Sequence, residues 1–388
     1  MLLSGALLYL AFKVLADGDT IDFKYIHLAG TLWLDGINPY SEAFRETGQA
    51  IFTGMNRPEY LLYPPHWWGI SAAVARIPYD TAGLIWRFFM AVCMIAGCFA
   101  LHDIPRRIIG ETRLWRTWAM LIFAAAMSAT AVALSLGQTS CLLFLGLCLY
   151  LRAYVVRDRG LMVLALVLVM LKPNFGLALS LFLVPALFWW PSLIAGAVAV
   201  LALSLPALLP FAPAEVVRGY LNALGQWETL PPNIPGSTTG LRYLAYLLFD
   251  LTLPGRWFAL AAAALALGLG AIWRDGTRPA FWRAEGLGLL LACLVLIVPM
   301  HTYDMMLLIP LIALCAGMPT GIQAALLVLM LVAFRVNNLA SALGLTIPEE
   351  TYFPGSGLVT AVALLIVAVW TVGATTDMAR KTSIQGLS

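Results

Sequence analysis

The sequence predicts an all-helical polytopic membrane protein, and three observations carry that prediction. Only 11% of the residues are charged, 61% are hydrophobic, and the mean hydropathy is +0.87, whereas about 25% of residues are charged in a soluble domain. Apolar runs recur along all 388 residues, many of them close to the roughly 20 residues that a crossing helix needs. The remaining charges are sorted by sign into alternate connecting segments, the pattern that membrane insertion imposes on Lys and Arg. The net charge of +3 and the absence of a long basic run speak against a nucleic-acid partner.

Taken in order, spans are expected near residues 1–16, 81–101, 117–135, 138–154, 160–172, 175–190, 192–210, 256–273, 285–300, 305–318, 320–335 and 356–374, about twelve in a single membrane domain covering 1–388. The opening run lacks a basic n-region and a small-residue cleavage site, so it reads as a retained first span. The apolar part of Tyr63–Asp80 is too short to cross and is expected to form a helix on the membrane surface. Four basic groups then fall on one side: Arg106, Arg107, Arg113 and Arg116; Arg152, Arg157 and Arg159; Arg274, Arg278 and Arg283; Arg380 and Lys381. By the positive-inside rule that side is the cytoplasm and holds both termini. The opposite side receives the long polar loops, 17–80 and 211–254, together with the short loop His301–Asp304 and residues 336–355.

Within these loops, "LPPNIPGSTTG" at Leu230–Gly240 has the Pro, Gly and Ser density of an irregular loop, open to acting as a mobile segment over a site. Leu241–Thr252 reads as a re-entrant or surface helix. No internal repeat is visible. The six cysteines sit in apolar runs without metal-ligand spacing and read as small buried apolar residues.

Most spans have no ionisable group in their central turns, so chemistry is expected at the outer face. Three features meet there: the carboxylates Asp17, Asp19 and Asp22 after the first span, Lys172 at an outer helix end, and His301 with Asp304 on a short outer loop. A carboxylate beside a hydroxyl serves as general base, and a Lys neutralises a phosphate oxygen. Transfer from a phosphate leaving group to an alcohol needs both. No Walker loop or dinucleotide glycine motif is present.

Four stretches, "DFKYIHLAGTLWLDGINPY" at Asp22–Tyr40, "YPPHWW" at Tyr63–Trp68, "SLGQTSCLLFLGLCLYLRA" at Ser135–Ala153 and "LVMLKPNFGL" at Leu168–Leu177, resemble glycosyltransferase family 87. The likeness is strongest from Asp22 to about Pro185 and weaker downstream, where "PMHTYDMMLLIPL" at Pro299–Leu311 matches a polar pair after a late span. The resemblance implies a GT-C-type fold with surface helices in the first outer loop. It also implies an inverting enzyme that takes a sugar, most often mannose, from a polyprenyl phosphate without a metal.

The resemblance makes Asp22, with Phe23 and Tyr25, the motif of the catalytic base. The residues alone allow Asp22 to be a helix cap instead. Asp19 is the rival base, and Asp17, Asp19 and Asp22 together are the less favoured reading as ligands of a divalent metal. The matching Lys-Pro of the family makes Lys172 a donor-phosphate ligand; snorkelling to the headgroups is its other reading. His301 and Asp304 are expected to orient the phosphate or the sugar, and Gln138 to bond a sugar hydroxyl or close a helix end. His66, with Trp67 and Trp68, marks the interface or touches the isoprenoid chain. Gly30, Gly36 and Pro39 are turn residues that fix where Asp22 and Tyr40 sit.

The expected function is therefore sugar transfer from a polyprenyl-phosphate donor to a hydroxyl of a glycolipid, glycan or protein. Its setting is a bacterial inner membrane, with the site facing the periplasm or outside. Two alternatives remain open to the sequence: a lipid or solute transporter or flippase, which predicts polar groups inside the bundle and repeated halves, and a non-catalytic scaffold.

Overall fold

A computed structural model describes residues 15, 20–52, 59–109, 115–273, 280–314, 318, 320–344 and 355–385. Asp17, Asp19 and nearly all of the expected first span lie outside these residues. Among them the chain is helical throughout, and its one strand-like feature is an isolated antiparallel bridge between Thr239 and Met300.

The region expected as the first outer loop opens with α1 (Ile21–Leu34) and α2 (Ala43–Ile51). A 3-10 turn at Pro65–Trp67 then leads into α3 (Trp68–Ala75), the short helix expected in this region. It lies across α1 at Gly30, where a Cβ would stand 2.0 Å from the Ser71 carbonyl oxygen. Only glycine permits that approach. Leu28, Leu32, Trp33, Tyr40 and Phe44 form a small second core with Ala207 and Val216.

The main core is built on α4 (Tyr79–Ile109) and α7 (Ser140–Val156). Gly97 of α4 admits the Phe144 ring, whose nearest carbon would be 2.7 Å from an added Cβ. Cys93, Cys98, Cys141 and Cys148 are free and buried in this region, the role their setting predicts. Cys293 is free and half-buried, and Cys315 lies outside the described residues. Between α4 and α7 the single expected span 117–135 is replaced by α5 (Trp115–Ala126) and α6 (Ser128–Leu136), bent by 62°. Met127 takes extended dihedrals at the break, and Thr130 donates to the Ala124 carbonyl at 2.6 Å across it.

After α7 come α8 (Arg159–Val169) and α9 (Pro173–Leu183), each 11 residues long and so about half the length of a full crossing. The chain continues through α10 (Trp190–Leu208), α11 (Pro213–Trp227), α12 (Leu241–Phe249), α13 (Gly255–Ile272) and α14 (Ala280–Ile297). The expected span 305–318 is not a regular helix. A 3-10 stretch, Thr302–Leu308, leads into the six-residue α15 (Ile309–Leu314). Tyr303 through Leu308 are all buried in the bundle, the condition under which irregular backbone is tolerated at membrane depth. Two long helices, α16 (Thr320–Ala342) and α17 (Ser356–Gln385), complete the described chain.

Among the described residues four helical segments are long and apolar enough to cross a membrane alone: Tyr79–His102, Leu187–Leu208, Gly255–Ile272 and Ser356–Thr375. The bent pair makes a fifth if it is one span. Along α10, Ile194, Val198, Leu201 and Leu205 are exposed at helical spacing, the stripe that a lipid-facing helix presents.

The Leu230–Gly240 segment departs from its expected irregular, loose form. It folds into two 3-10 turns, Pro231–Asn233 and Pro235–Ser237, and Asn233, Ser237, Thr238 and Thr239 are buried. Thr239 donates its backbone N–H to Met300 at 2.8 Å. Gly240 adopts φ +85°, and a Cβ there would meet the Leu296 carbonyl oxygen at 2.3 Å.

Candidate active site

Three chain breaks between helices bring the polar residues together. Thr20 stands at the N-cap position of α1, and its hydroxyl lies 2.8 Å from that of Tyr79. Asp22 therefore occupies the first turn and is not the cap, correcting the capping alternative. A carboxylate at that position is favoured by the helix dipole. Phe23, next in the chain, packs on Gly137, which ends α6 in the left-handed conformation (φ +68°). A Cβ at Gly137 would sit 2.8 Å from that of Phe23. The close contact sets Asp22 beside Gln138, whose side chain hydrogen-bonds the carboxyl.

Two tryptophans hold the turns that carry the site. The Trp86 indole donates to the Gly137 carbonyl at 2.8 Å, next to Gln138. The Trp67 indole donates to the Leu171 carbonyl at 3.1 Å, next to Lys172. Lys172 itself joins α8 to α9 in an extended conformation, which the following Pro173 favours. Its ammonium reaches Asp304 Oδ1 at 2.7 Å and Ser140 Oγ at 3.3 Å, and lies 5.7 Å from the Tyr303 ring centroid. Ser140 donates to the same Asp304 oxygen at 2.5 Å. This engagement replaces free snorkelling of the Lys172 side chain.

On the far side of Asp304, the His301 ring and the Asp304 side chain cap the 3-10 stretch reciprocally. His301 Nε2 lies 3.0 Å from Asn233 Oδ1. Asn233 is held in turn: its Nδ2 donates to the Trp227 carbonyl at 3.0 Å, and its carbonyl accepts from Arg242 Nη1 at 2.8 Å. Arg242 is buried and pairs at 3.8 Å with Glu228.

The electrostatics follow from this packing. Asp22 keeps some exposed surface, yet protein atoms surround it closely enough that desolvation pushes its carboxyl up to about 7. The Gln138 hydrogen bond and the Lys172 charge pull the other way, while Asp304 adds to the rise. Burial of Asp304 alone would raise its carboxyl, but Lys172 and Ser140 outweigh that and hold it below the usual range. Burial lowers His301 to about 4. The site thus pairs one carboxyl poised near neutrality with one ion-paired carboxylate, an arrangement chemically able to separate a proton acceptor from a charge partner.

Of the residues singled out in the sequence, Asp22, Gln138, Lys172, His301 and Asp304 come together. Tyr25 borders them, within electrostatic reach of Tyr63 and Tyr303, and its ring packs on Phe44. Tyr40 stands behind the site: its hydroxyl donates to the Tyr63 carbonyl at 2.6 Å. His66 turns to a backbone group of Met170, and burial lowers it to about 4. Asp19, with Asp17, lies outside the described residues, and among those described no group of three His, Cys, Asp or Glu is arranged to hold a metal. Ser140, Asn233, Tyr63 and Tyr303 went unnoticed. All four lie in stretches quoted above, but their partners are distant in the chain, so nothing local marks them out.

Comparison with known proteins now bears on this cluster. The profile of glycosyltransferase family 87 matches residues 60–299, and no curated protein matches the chain. Gln138, Ser140, Lys172 and Asn233 fall inside the match, while Asp22 lies before it and His301 and Asp304 just after it. The match leaves out the first quoted stretch, Asp22–Tyr40, and continues past Pro185 through the region of weaker likeness to residue 299. With more than half of its length matched, the chain belongs to glycosyltransferase family 87 and is a membrane glycosyltransferase.

Proposed function

We propose that the enzyme transfers a sugar, mannose first among candidates, from a polyprenyl phosphate to an acceptor hydroxyl, with inversion. The observation that carries this reading is the half-buried Asp22 carboxyl, raised to about 7 and hydrogen-bonded to Gln138, beside the Lys172–Asp304 pair. A base near the working pH is best suited to take a proton as bond formation proceeds. The acceptor oxygen attacks the anomeric carbon while its proton passes to Asp22. The bond between that carbon and the phosphate oxygen breaks, and its electrons leave with the lipid phosphate.

Lys172 meets that leaving charge, exchanging Asp304 for a phosphate oxygen as the donor arrives. Gln138 orients the base, Tyr25 and Tyr63 border the sugar, and Asp304 holds Lys172 in place between turnovers. No metal takes part in this scheme, since the ammonium supplies the charge a cation would otherwise bring.

The same proposal assigns the chain a single GT-C-type domain over 1–388 with about twelve spans, the shorter apolar helices completing those that are too short alone. It lies in a bacterial inner membrane with both termini in the cytoplasm, the outer loops 17–80 and 211–254 and the site facing the periplasm or outside. The acceptor is a glycolipid, a glycan or a protein. The test is purified enzyme offered short-chain polyprenyl phosphates carrying different sugars, with membrane extract as acceptor source and release of polyprenyl phosphate as readout. Turnover of one donor supports the reading. Failure of every lipid donor, with turnover of a nucleotide sugar, would overturn it.

A further inference from the structure

The polar chain continues beyond the catalytic cluster through His301 to Asn233, and its geometry fixes which atoms carry hydrogens. Asn233 Nδ2 donates to the Trp227 carbonyl at 3.0 Å, so the amide can be oriented only with Oδ1 toward His301. An amide oxygen accepts and cannot donate. The hydrogen in the 3.0 Å contact therefore sits on His301 Nε2. Asp304 completes the arrangement. The His301 ring accepts from the Asp304 backbone N–H, and the second Asp304 carboxylate oxygen faces the His301 backbone N–H at 3.5 Å.

That leaves Oδ1 of Asp304 aimed at Lys172 and Ser140. We infer that Asn233 is a positioning residue: it locks His301 as the neutral Nε2–H tautomer, and through that ring aims Asp304 at Lys172. With its hydrogen committed to Asn233, His301 holds none for a donor phosphate, so its part is to position.

The anchor is built in depth. Arg242 donates to the Asn233 carbonyl at 2.8 Å and to the Leu253 carbonyl at 3.3 Å, and pairs with Glu228, which accepts the Gly255 backbone N–H at 3.0 Å. A backbone group of Ser237, from the same loop, also hydrogen-bonds the ring. The charged groups that act on His301 are Asp304, Lys172 and Arg242, and the Trp227 and Tyr303 rings flank it. Burial outweighs the pull of Asp304 and of the Ser237 backbone toward the charged ring, and Lys172 and Arg242 add to its effect.

The test uses the full-length enzyme in detergent with isotope-labelled imidazole nitrogens, observed by NMR. The chain has four histidines, and His301→Gln identifies the signal by its loss. Wild type is expected to show His301 neutral with the hydrogen on Nε2 at neutral pH. Asn233→Asp, nearly isosteric, sets a carboxylate against Nε2 and should convert the ring to imidazolium at the same pH. Asn233→Leu should release the lock, giving mixed tautomers and a fall of about tenfold or more in kcat/KM.

An imidazolium or an Nδ1–H ring in the wild type would overturn the inference, and so would a His301 signal unmoved by Asn233→Asp. The kinetic arm rests on the proposed lipid-phosphate reaction, whereas the spectrum needs no donor. Failure of the proposed function would therefore appear as an inactive wild type with the spectral result intact.

Discussion

At the scale of single residues, Asp22 makes the sharpest predictions. A general base works when deprotonated, so a carboxyl raised to about 7 predicts that kcat/KM rises with pH through about 7 and levels above it. Asp22→Asn should lower kcat by about a hundredfold or more and remove that limb from the profile. The same shift affects stability with the opposite sense. Between the ordinary 3.8 and about 7 the folded protein holds a proton that the unfolded chain has released, so stability is full below that window and falls as pH rises through it. Asp22→Asn is therefore expected to stabilise the fold at alkaline pH, by on the order of 1 kcal/mol or more, which thermal unfolding in detergent at two pH values would measure. These charged residues were legible because carboxylates and a lysine are rare in so apolar a chain. Ser140 and Asn233 were not, since their partners lie 164 and 68 residues away and leave no mark on local composition.

At the scale of elements, the site depends on how tightly turns press on one another. Gly137→Ala would have to place a side chain at φ +68° and within 2.8 Å of Phe23 Cβ. Adopting that conformation costs about 1 kcal/mol before the contact is counted. The strain should push α1 away from Gln138 and lower kcat at least tenfold while membrane insertion is unchanged. Trp67→Phe keeps the bulk under α3 but removes the hydrogen bond to Leu171, worth about 1 kcal/mol. Its effect should appear as a higher donor KM, because Lys172 is the neighbour set loose. The short helix after "YPPHWW" could be read in advance because its apolar part is too brief to cross. The break at Met127 and the 3-10 stretch after His301 could not, because apolar composition is the same whether a helix runs straight or is bent. Only tertiary contacts, the Thr130 hydroxyl on Ala124 and the His301–Asp304 cap, distinguish the two.

At the scale of the whole molecule, composition announced a helical membrane protein, and among the described residues the four helices able to cross alone, five with the bent pair as one span, agree with it. Several other apolar helices, such as α8 and α9, are shorter than a bilayer is thick, so the number of crossings depends on how they combine in the bundle, which hydropathy along one chain does not encode. The proposed orientation makes its own prediction. A single cysteine at Glu42, in the first outer loop, should react with a membrane-impermeant thiol reagent from outside the cell, and one at Asp158, exposed between α7 and α8, only after the membrane is opened. The four cysteines between α4 and α7 are buried and should give little background. The reverse pattern would invert the topology and take the site to the cytoplasm.

The most direct test of the central claim compares wild type with Asp22→Asn in release of polyprenyl phosphate from one accepted donor, measured at a pH above 7 with donor binding monitored in parallel. The account predicts that the variant binds the donor as wild type does and releases the lipid phosphate about a hundredfold more slowly or worse. Equal rates in the two proteins would contradict it and remove Asp22 from the chemistry.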